Sequence, residues 1–413
     1  MKRKVILVSL DALAAHELEI LRGMDGFKRI ISEGAHCPEL LSVYPSITYP
    51  AHTSIATGCL PARHGVVNNY IFDPFAEKKA MYSYAHEVKA KAIWDYANEA
   101  GKKCVSVAWP VSAGADMSLI LPDMVPPGPR IWTDETETAL REMMGRYAYP
   151  ESLAKLFFDH ESFPRVWMTG AQPDFDILLM ELFNDVIRDY DFDIALLHVF
   201  GLDTCKHDFG SQSPECIPYL NRYGEFVNRL ADYADKSRDE ILLVVTGDHG
   251  AADMGQCLYL NNVMEQMGLC RYDGGKLVEW DALMDSADGM AYLRIREGRD
   301  PDEITKRVAE RFDSHPGVKS FSGIVAEAAE GWGFSDTWGP NADYDGVGPA
   351  TDIGNHGYLP DSNGMQSLLF AYGPSVARGR VVESVSIMDI LPTICHYMGL
   401  PCDDVDGRII PIF

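Results

Sequence analysis

Five short apolar runs punctuate the chain, at residues 5–10, 104–108, 194–200, 241–246 and 368–372. They are too short for ordinary helices, and they lack the alternation of a half-exposed strand. This pattern predicts strands buried on both faces. Between them the apolar positions switch to helical spacing, as in "FDILLMELFNDVIRDY" at 175–190 and again over 217–234. Strand and helix alternating in this way predict an α/β fold, a mainly parallel central sheet with helices on both faces. One segment departs from the rhythm. Between 270 and 344 the chain reads as strand (Met290–Ile295), helix (Pro301–Phe312) and strand (Val318–Ser322), then loops rich in Gly, Trp and Asp. It is expected to form a small α+β cap insertion, 270–344, in a discontinuous catalytic core made of 1–269 and 345–413. No internal repeat or low-complexity linker interrupts this organisation.

Composition narrows the function classes. The 413 residues hold one large domain or two modest ones, and 46% apolar with 23% charged residues is ordinary for a soluble enzyme. A net charge of −25 argues against a nucleic-acid grip built on basic surface. It also obliges any phosphate site to supply its own local positive charge. The run after Met1-Lys2-Arg3-Lys4 is too short for a signal peptide and ends in Asp11, and no window approaches a membrane span. The nine cysteines are scattered and form no CxxC pair. The expectation is a cytoplasmic protein with reduced thiols and no membrane partner.

Candidate chemistry gathers where the strands end. Asp11 follows the first run; Asp203 and His207 follow the third; Asp248 and His249, in "TGDHGA", follow the fourth; His356 lies in "IGNHGYLP" before the last. Ligands of open α/β sheets bind beyond the carboxyl ends of the strands, so these six residues can share one rim. Taken singly, Asp11 reads as a helix cap or turn former and "DHG" as a tight turn. Taken together, three Asp and three His match the nitrogen and oxygen ligand set of zinc, and two ions side by side would clamp attacking and leaving oxygens. His16, His36, His86, His160 and His315 have no partner motif and are expected at the surface; His396, in an apolar run, is expected in the core or an interface.

The stretch "SVYPSITYPAHTSIATG" at 42–58 offers six aliphatic hydroxyls and two phenols. Its pattern predicts a loop entering a helix near Ala51, with Thr48 and Tyr49 facing the positive helix N-terminus. A metal-bound hydroxyl loses its proton easily, which would make Thr48 a nucleophile. The competing reading is that Ser46 and Thr48 merely cap the helix.

At these residues the chain resembles the alkaline phosphatase superfamily, in its nucleotide pyrophosphatase/phosphodiesterase branch. The resemblance rests on "PSITYPAH" (45–52), "TGCLPARHGVVNN" (57–69), "DTCKH" (203–207), "GDHG" (247–250) and "NHGYLPDSNGMQSLLFAYGP" (355–374). It implies an alkaline-phosphatase-like fold and a hydrolase of phosphate diesters, acting on a small-molecule phosphate ester such as a nucleotide. The covalent intermediate would be a phospho-threonine on Thr48. Two divalent metal ions are implied, zinc before manganese or iron. Asp11, Thr48, Asp248 and His249 would hold one, and Asp203, His207 and His356 the other. Asn69 is implied as donor to a phosphoryl oxygen beside the Tyr49 backbone N–H, and the Tyr49 ring as a stacking surface for a base. The chain departs from the branch at Ala51, where Asn is usual, at Lys206, where Gly is usual, and at His198, where a base-stacking Tyr is often found. Lys206 and His198 therefore become substrate-side candidates, Lys206 by adding charge near a leaving group or by reaching to water. The aromatics Trp332, Phe334 and Trp338 are expected to make room for a second ester substituent. Rival readings are a phosphomonoesterase, phosphonate hydrolase or phosphomutase of the same superfamily, and a metal-binding protein without turnover.

Overall fold

The computed structural model describes residues 2–413 except 77, 127–129, 160, 161 and 384. Its centre is a sheet built on β1 (Arg3–Leu10), β2 (Ala35–Leu41), β3 (Cys104–Val107), β4 (Leu119–Leu121), β5 (Ile194–Val199) and β6 (Glu240–Thr246). The spatial order is Arg380–Val381, β2, Ser367–Tyr372, β6, β1, β5, β3, β4. All neighbours from β6 to β4 are parallel, whereas Ser367–Tyr372 runs antiparallel to both β6 and β2. The sheet is mainly parallel and covered on both faces, as the apolar runs require.

Alternation along the strands divides the core in two. Ile6, Val8 and Leu10 of β1, with Ala195, Leu197 and Val199 of β5, pack into one layer under the helices Asp174–Asp189 and Ile217–Lys236. Val5 and Leu7, with Ile194 and Leu196, pack into the other, against Thr48–Thr57, Ile93–Glu99 and Ile390–Met398. Register then levels the strand ends. Leu10 pairs with Val199 and Ser9 with Thr246, so the residues that follow all three strands emerge on one rim.

A third core lies outside this sheet. Four antiparallel strands between Ala282 and Ala328, with the helix Pro301–Phe312, enclose Leu283, Leu293, Val308 and Phe312. The strand Gln256–Tyr259 and the helix Leu260–Gln266, ahead of residue 270, contribute Leu258, Val263 and Met264 to the same core. Trp332 and Phe334 belong to it as well, and Trp338 stacks on Tyr272. These aromatics fill the insertion instead of opening room for a substituent, because its small sheet needs an apolar interior of its own.

Several histidines also depart from expectation. His36 and His315 are buried, His36 on β2 and His315 at a turn where its Nδ1 accepts from the Gly317 N–H. His396 is exposed and so outside the core, because its helix turns the opposite side inward; an exposed position is consistent with the interface reading. His86 is exposed, His16 is half-buried, and His160 lies outside the described residues.

Two helices of the first layer approach closely through glycine. A Cβ on Gly26, in the helix Asp25–Glu33, would lie 2.1 Å from the Gly224 carbonyl and 2.7 Å from the Asn228 nitrogen of the helix Ile217–Lys236. Gly26→Ala is expected to lower unfolding free energy by about 1–3 kcal/mol, the usual cost of overpacking. Urea denaturation measures this; an unchanged midpoint would contradict the close approach.

Candidate active site

Four strand ends and one helix start build the site. Asp11 leaves β1 with its N–H donating to the Val199 carbonyl at 2.9 Å. Asp203 and His207 sit four residues apart on the helix Gly201–Phe209 after β5, so one face carries both. Asp248 and His249 follow β6, and His356 follows the short strand Gly354–Asn355. Thr48 opens the helix Thr48–Thr57, three residues earlier than the sequence pattern suggested. Pro50 fits inside the first turn because its missing N–H is one that has no helical partner there. Neither Ser46 nor Thr48 caps this helix. The N-cap is Ile47, and Ser46 Oγ is directed to the Val43 and Tyr358 carbonyls.

Asp11, Asp248 and His249 form one cluster, and Asp203, His207 and His356 a second; within each, the candidate ligand atoms lie within 4.8 Å of one another. His249 Nε2 is 3.1 Å from Asp248 Oδ2 and 3.5 Å from Asp11 Oδ1. His207 Nε2 is 3.4 Å from Asp203 Oδ2 and 3.2 Å from His356 Nε2. The His249 and His356 rings, 4.3 Å between centroids, join the two clusters into one site. Thr48 Oγ1 stands at the first, 3.4 Å from Asp11 Oδ2 and 3.5 Å from His249 Nε2.

The donor set fits divalent cations. Asp11 Oδ1, Asp203 Oδ1 and Asp248 Oδ2 are buried without a hydrogen-bond donor among the described residues. Buried carboxylate oxygens are costly unless paired or coordinating. Burial, then the neighbouring Asp248 and Asp203, push the Asp11 carboxyl well above its usual range. Burial acts the same way on Asp203, but His207 and His356 prevail and hold it below the carboxylate range. Burial and His249 depress His356, whereas Asp203 overcomes burial at His207 and raises it to about 10.

A surrounding shell orients these groups. His198 bridges Asp11 Oδ2, at 3.0 Å, and the Ala108 carbonyl, at 3.2 Å. His52 lies between the Thr48 carbonyl and Ser9 Oγ, 2.8 Å from each, and burial followed by His198 lowers it to about 3. It is therefore neutral at physiological pH and steadies the start of the Thr48 helix. Asn69 Oδ1 accepts the Tyr49 N–H at 2.9 Å, and its amide nitrogen has no acceptor among the described residues.

A family model described as type I phosphodiesterase/nucleotide pyrophosphatase matches residues 5–359. The chain belongs to that family. Human ectonucleotide pyrophosphatase/phosphodiesterase family member 5 is 21% identical, over 97% of this chain and 75% of the human protein. A Xenopus laevis relative named bis(5'-adenosyl)-triphosphatase is 21% identical, over 98% of this chain and 80% of its own. The solved structure of the murine family member 5, an inactive threonine-to-alanine variant in complex with AMP, matches with a TM-score of 0.65 at 20% identity over 98% of both chains. These likenesses bear out the alkaline-phosphatase-like fold and the branch indicated by the motifs.

Within this family member three substrate-side expectations need correction. Lys206 is 1% exposed and turns away from the ligands to Glu17 and the Ala12 carbonyl, so it reaches neither water nor a leaving group. His198 is buried behind Asp11 and presents no stacking face. The Tyr49 ring is only 6% exposed, packed with Val66 and Val111, and its hydroxyl donates to Asp123 Oδ2 at 3.1 Å. Its N–H, engaged by Asn69, is not free for a phosphoryl oxygen. The motifs did not single out His52, His64, Asp123 or Arg130. Both histidines lie within the motif segments; His64 Nε2 meets Ser54 Oγ at 2.9 Å and its Nδ1 accepts the Val66 N–H. Asp123 and Arg130, within electrostatic range of each other and of Tyr49, lie in a loop with no pattern to announce them.

The raised His207 gives a pH dependence. Its pairing with Asp203 stabilises the metal-free fold below the ordinary histidine value and is lost as pH rises through about 10. At neutral pH a cation entering this cluster must displace that proton. Apparent metal affinity is expected to fall by up to about tenfold per unit as pH drops from about 8 to about 6. Calorimetry in buffers of different ionisation enthalpy should register the released proton; affinity independent of pH would contradict the assignment.

Proposed function

We propose that this protein is a metal-dependent hydrolase of phosphate diesters that works through a covalent phospho-threonine on Thr48. The observation that carries the reading is the Thr48 hydroxyl at the first ligand cluster, 3.4 Å from Asp11 Oδ2, with the second cluster joined to the first through His249 and His356. Asp11, Thr48, Asp248 and His249 would hold one cation and Asp203, His207 and His356 the other, zinc before manganese or iron given the N/O donors. Bound there, such ions ease deprotonation of a hydroxyl and offset charge on phosphoryl oxygens.

Thr48 Oγ1 attacks phosphorus in line. The bond from Oγ1 to phosphorus forms as the bond to the leaving oxygen breaks, and the leaving group departs with the electron pair. The Thr48 proton has an acceptor in Asp11 Oδ2, whose apo distance is long for a working contact and is expected to tighten with substrate. The Asn69 amide nitrogen donates to a phosphoryl oxygen as charge spreads over it. Water then attacks the phospho-threonine, releases the monoester and restores the hydroxyl. A nucleotide substrate is part of this proposal, supported by the AMP in the murine structure and by the name of the Xenopus relative. So is a cytoplasmic setting, supported by nine free cysteines, eight of them buried. Among the described residues no helix is long and apolar enough to cross a membrane.

Thr48→Ala is expected to lower kcat by several orders of magnitude with the melting temperature retained, and Thr48→Ser to keep part of the rate. Ser46→Ala, which removes a buried hydrogen bond, should cost about 1 kcal/mol of stability and little turnover. Near-normal turnover in Thr48→Ala, measured on a nitrophenyl ester, would end the nucleophile assignment.

The diester preference rests on charge. A monoester brings a second negative charge to the transferred group, yet Lys206 is committed to Glu17 and cannot meet it. A nitrophenyl nucleoside monophosphate is expected to have a higher kcat/KM than nitrophenyl phosphate under the same metal and pH conditions. A monoester preference of about tenfold, roughly 1.4 kcal/mol in transition-state binding, would overturn this.

A further inference from the structure

We propose that Lys206 and Glu17 form a buried brace that sets the spacing of the two ligand clusters, which makes Lys206 a positioning residue for the reaction. The inference rests on the metal-site reading above and concerns what holds that site in register. Lys206 lies on the helix Gly201–Phe209, between the ligands Asp203 and His207. Its side chain leaves that helix for the loop after β1. Nζ donates to the Ala12 carbonyl at 2.7 Å and pairs with Glu17 Oε1 at 2.9 Å, with the two side chains 1% and 3% exposed.

The loop it grips is the one that carries Asp11. Ala12 has a φ of +58°, in the left-handed region that side chains disfavour. Its N–H donates to Asp248 Oδ1 at 3.1 Å while its carbonyl accepts from Lys206. The residue next to the first-cluster ligand is thus held from both sides, by a ligand of its own cluster and by the helix of the other. Glu17 closes the loop on the same ammonium, since its second oxygen accepts the Ala14 N–H at 2.8 Å.

The backbone of Lys206 holds the remaining ligand segment. A Cβ on Gly354 would lie 2.5 Å from the Lys206 carbonyl, and the Ile353 N–H donates to the His207 carbonyl at 2.8 Å. The strand leading to His356 therefore rides on this turn of the helix. Three ligand-bearing segments, at 11–17, 203–207 and 353–356, meet at one lysine. A buried pair of this kind contributes geometric definition more than net stability, because desolvation offsets most of its Coulomb gain. Partners that orient metal ligands from behind typically change affinity by about 10- to 100-fold when removed.

The test compares wild type, Lys206→Met and the double variant Lys206→Met/Glu17→Met, each stripped with chelator and titrated with Zn²⁺ by calorimetry. Turnover of a nitrophenyl diester and thermal melting are followed in parallel. Wild type is expected to bind two equivalents; if it binds none, the metal-site reading fails, whatever the variants do. With two bound, Lys206→Met is expected to weaken at least one equivalent by about tenfold or more and to lower kcat with KM little changed. The double variant leaves no buried charge unpaired, so it regains the melting temperature, and it supplies the measurement if the single variant does not fold. Its zinc affinity and kcat are expected to stay low, because methionine cannot hold the Ala12 carbonyl. Recovery of wild-type affinity and kcat along with stability would overturn the brace and leave the pair as ordinary core packing.

Discussion

Three carboxylates, each with a buried oxygen, meeting at the carboxyl rim of a parallel sheet are the constraint on which this molecule turns. Asp11, Asp203 and Asp248 each keep an oxygen with no hydrogen-bond donor among the described residues. An arrangement of that kind is unfavourable to fold and is useful only where positive charge is brought to it. The level ends of β1, β5 and β6 force the three together, and the imidazoles of His207, His249 and His356 enter the same space. The helix Thr48–Thr57 then delivers its first residue to the cluster, with His52, one turn along, pinned between the Thr48 carbonyl and β1.

The electrostatics follow from the same constraint. The chain carries a net charge of −25, and a phosphate ester is itself an anion. Lys206, the lysine set between the ligands Asp203 and His207, is already engaged. Lys206 neutralises Glu17 inside the fold, and Arg130 lies near Asp123, which also accepts the Tyr49 hydroxyl. The ligand clusters are where compensating charge for a phosphoryl group can be brought, and a neutral donor, the Asn69 amide, is aimed by giving its oxygen to the Tyr49 N–H. Tyr49 serves here as a fixed wall, and the insertion keeps its large aromatics for its own interior.

Much of this is legible in the chain itself. Continuous apolar runs encode burial on both faces, so all five strands and both long helices fall close to where periodicity puts them. The ligand types at the strand ends, and the hydroxyl near the helix start, are local signatures of short motifs. The side-chain contacts are not legible in the same way. Lys206 reads as a surface or substrate-side cation because lysines usually reach water, and only the loop after β1, brought beside its helix by the β1–β5 pairing, offers Glu17 and the Ala12 carbonyl instead. His198 reads as a substrate residue until the same pairing sets it behind Asp11.

The chain by itself determined which segments would be strands, which residue types could hold cations and which hydroxyl stood at a helix start, because each depends on a few neighbours in sequence. Tertiary structure alone decided that Ser367–Tyr372 runs antiparallel, that His36 and His315 are buried while His396 is not, and that the two clusters touch through His249 and His356. Strand direction, the heading of a long side chain and the distance between two ligand groups are set by elements far apart in the chain, and packing fixes them only when those elements meet.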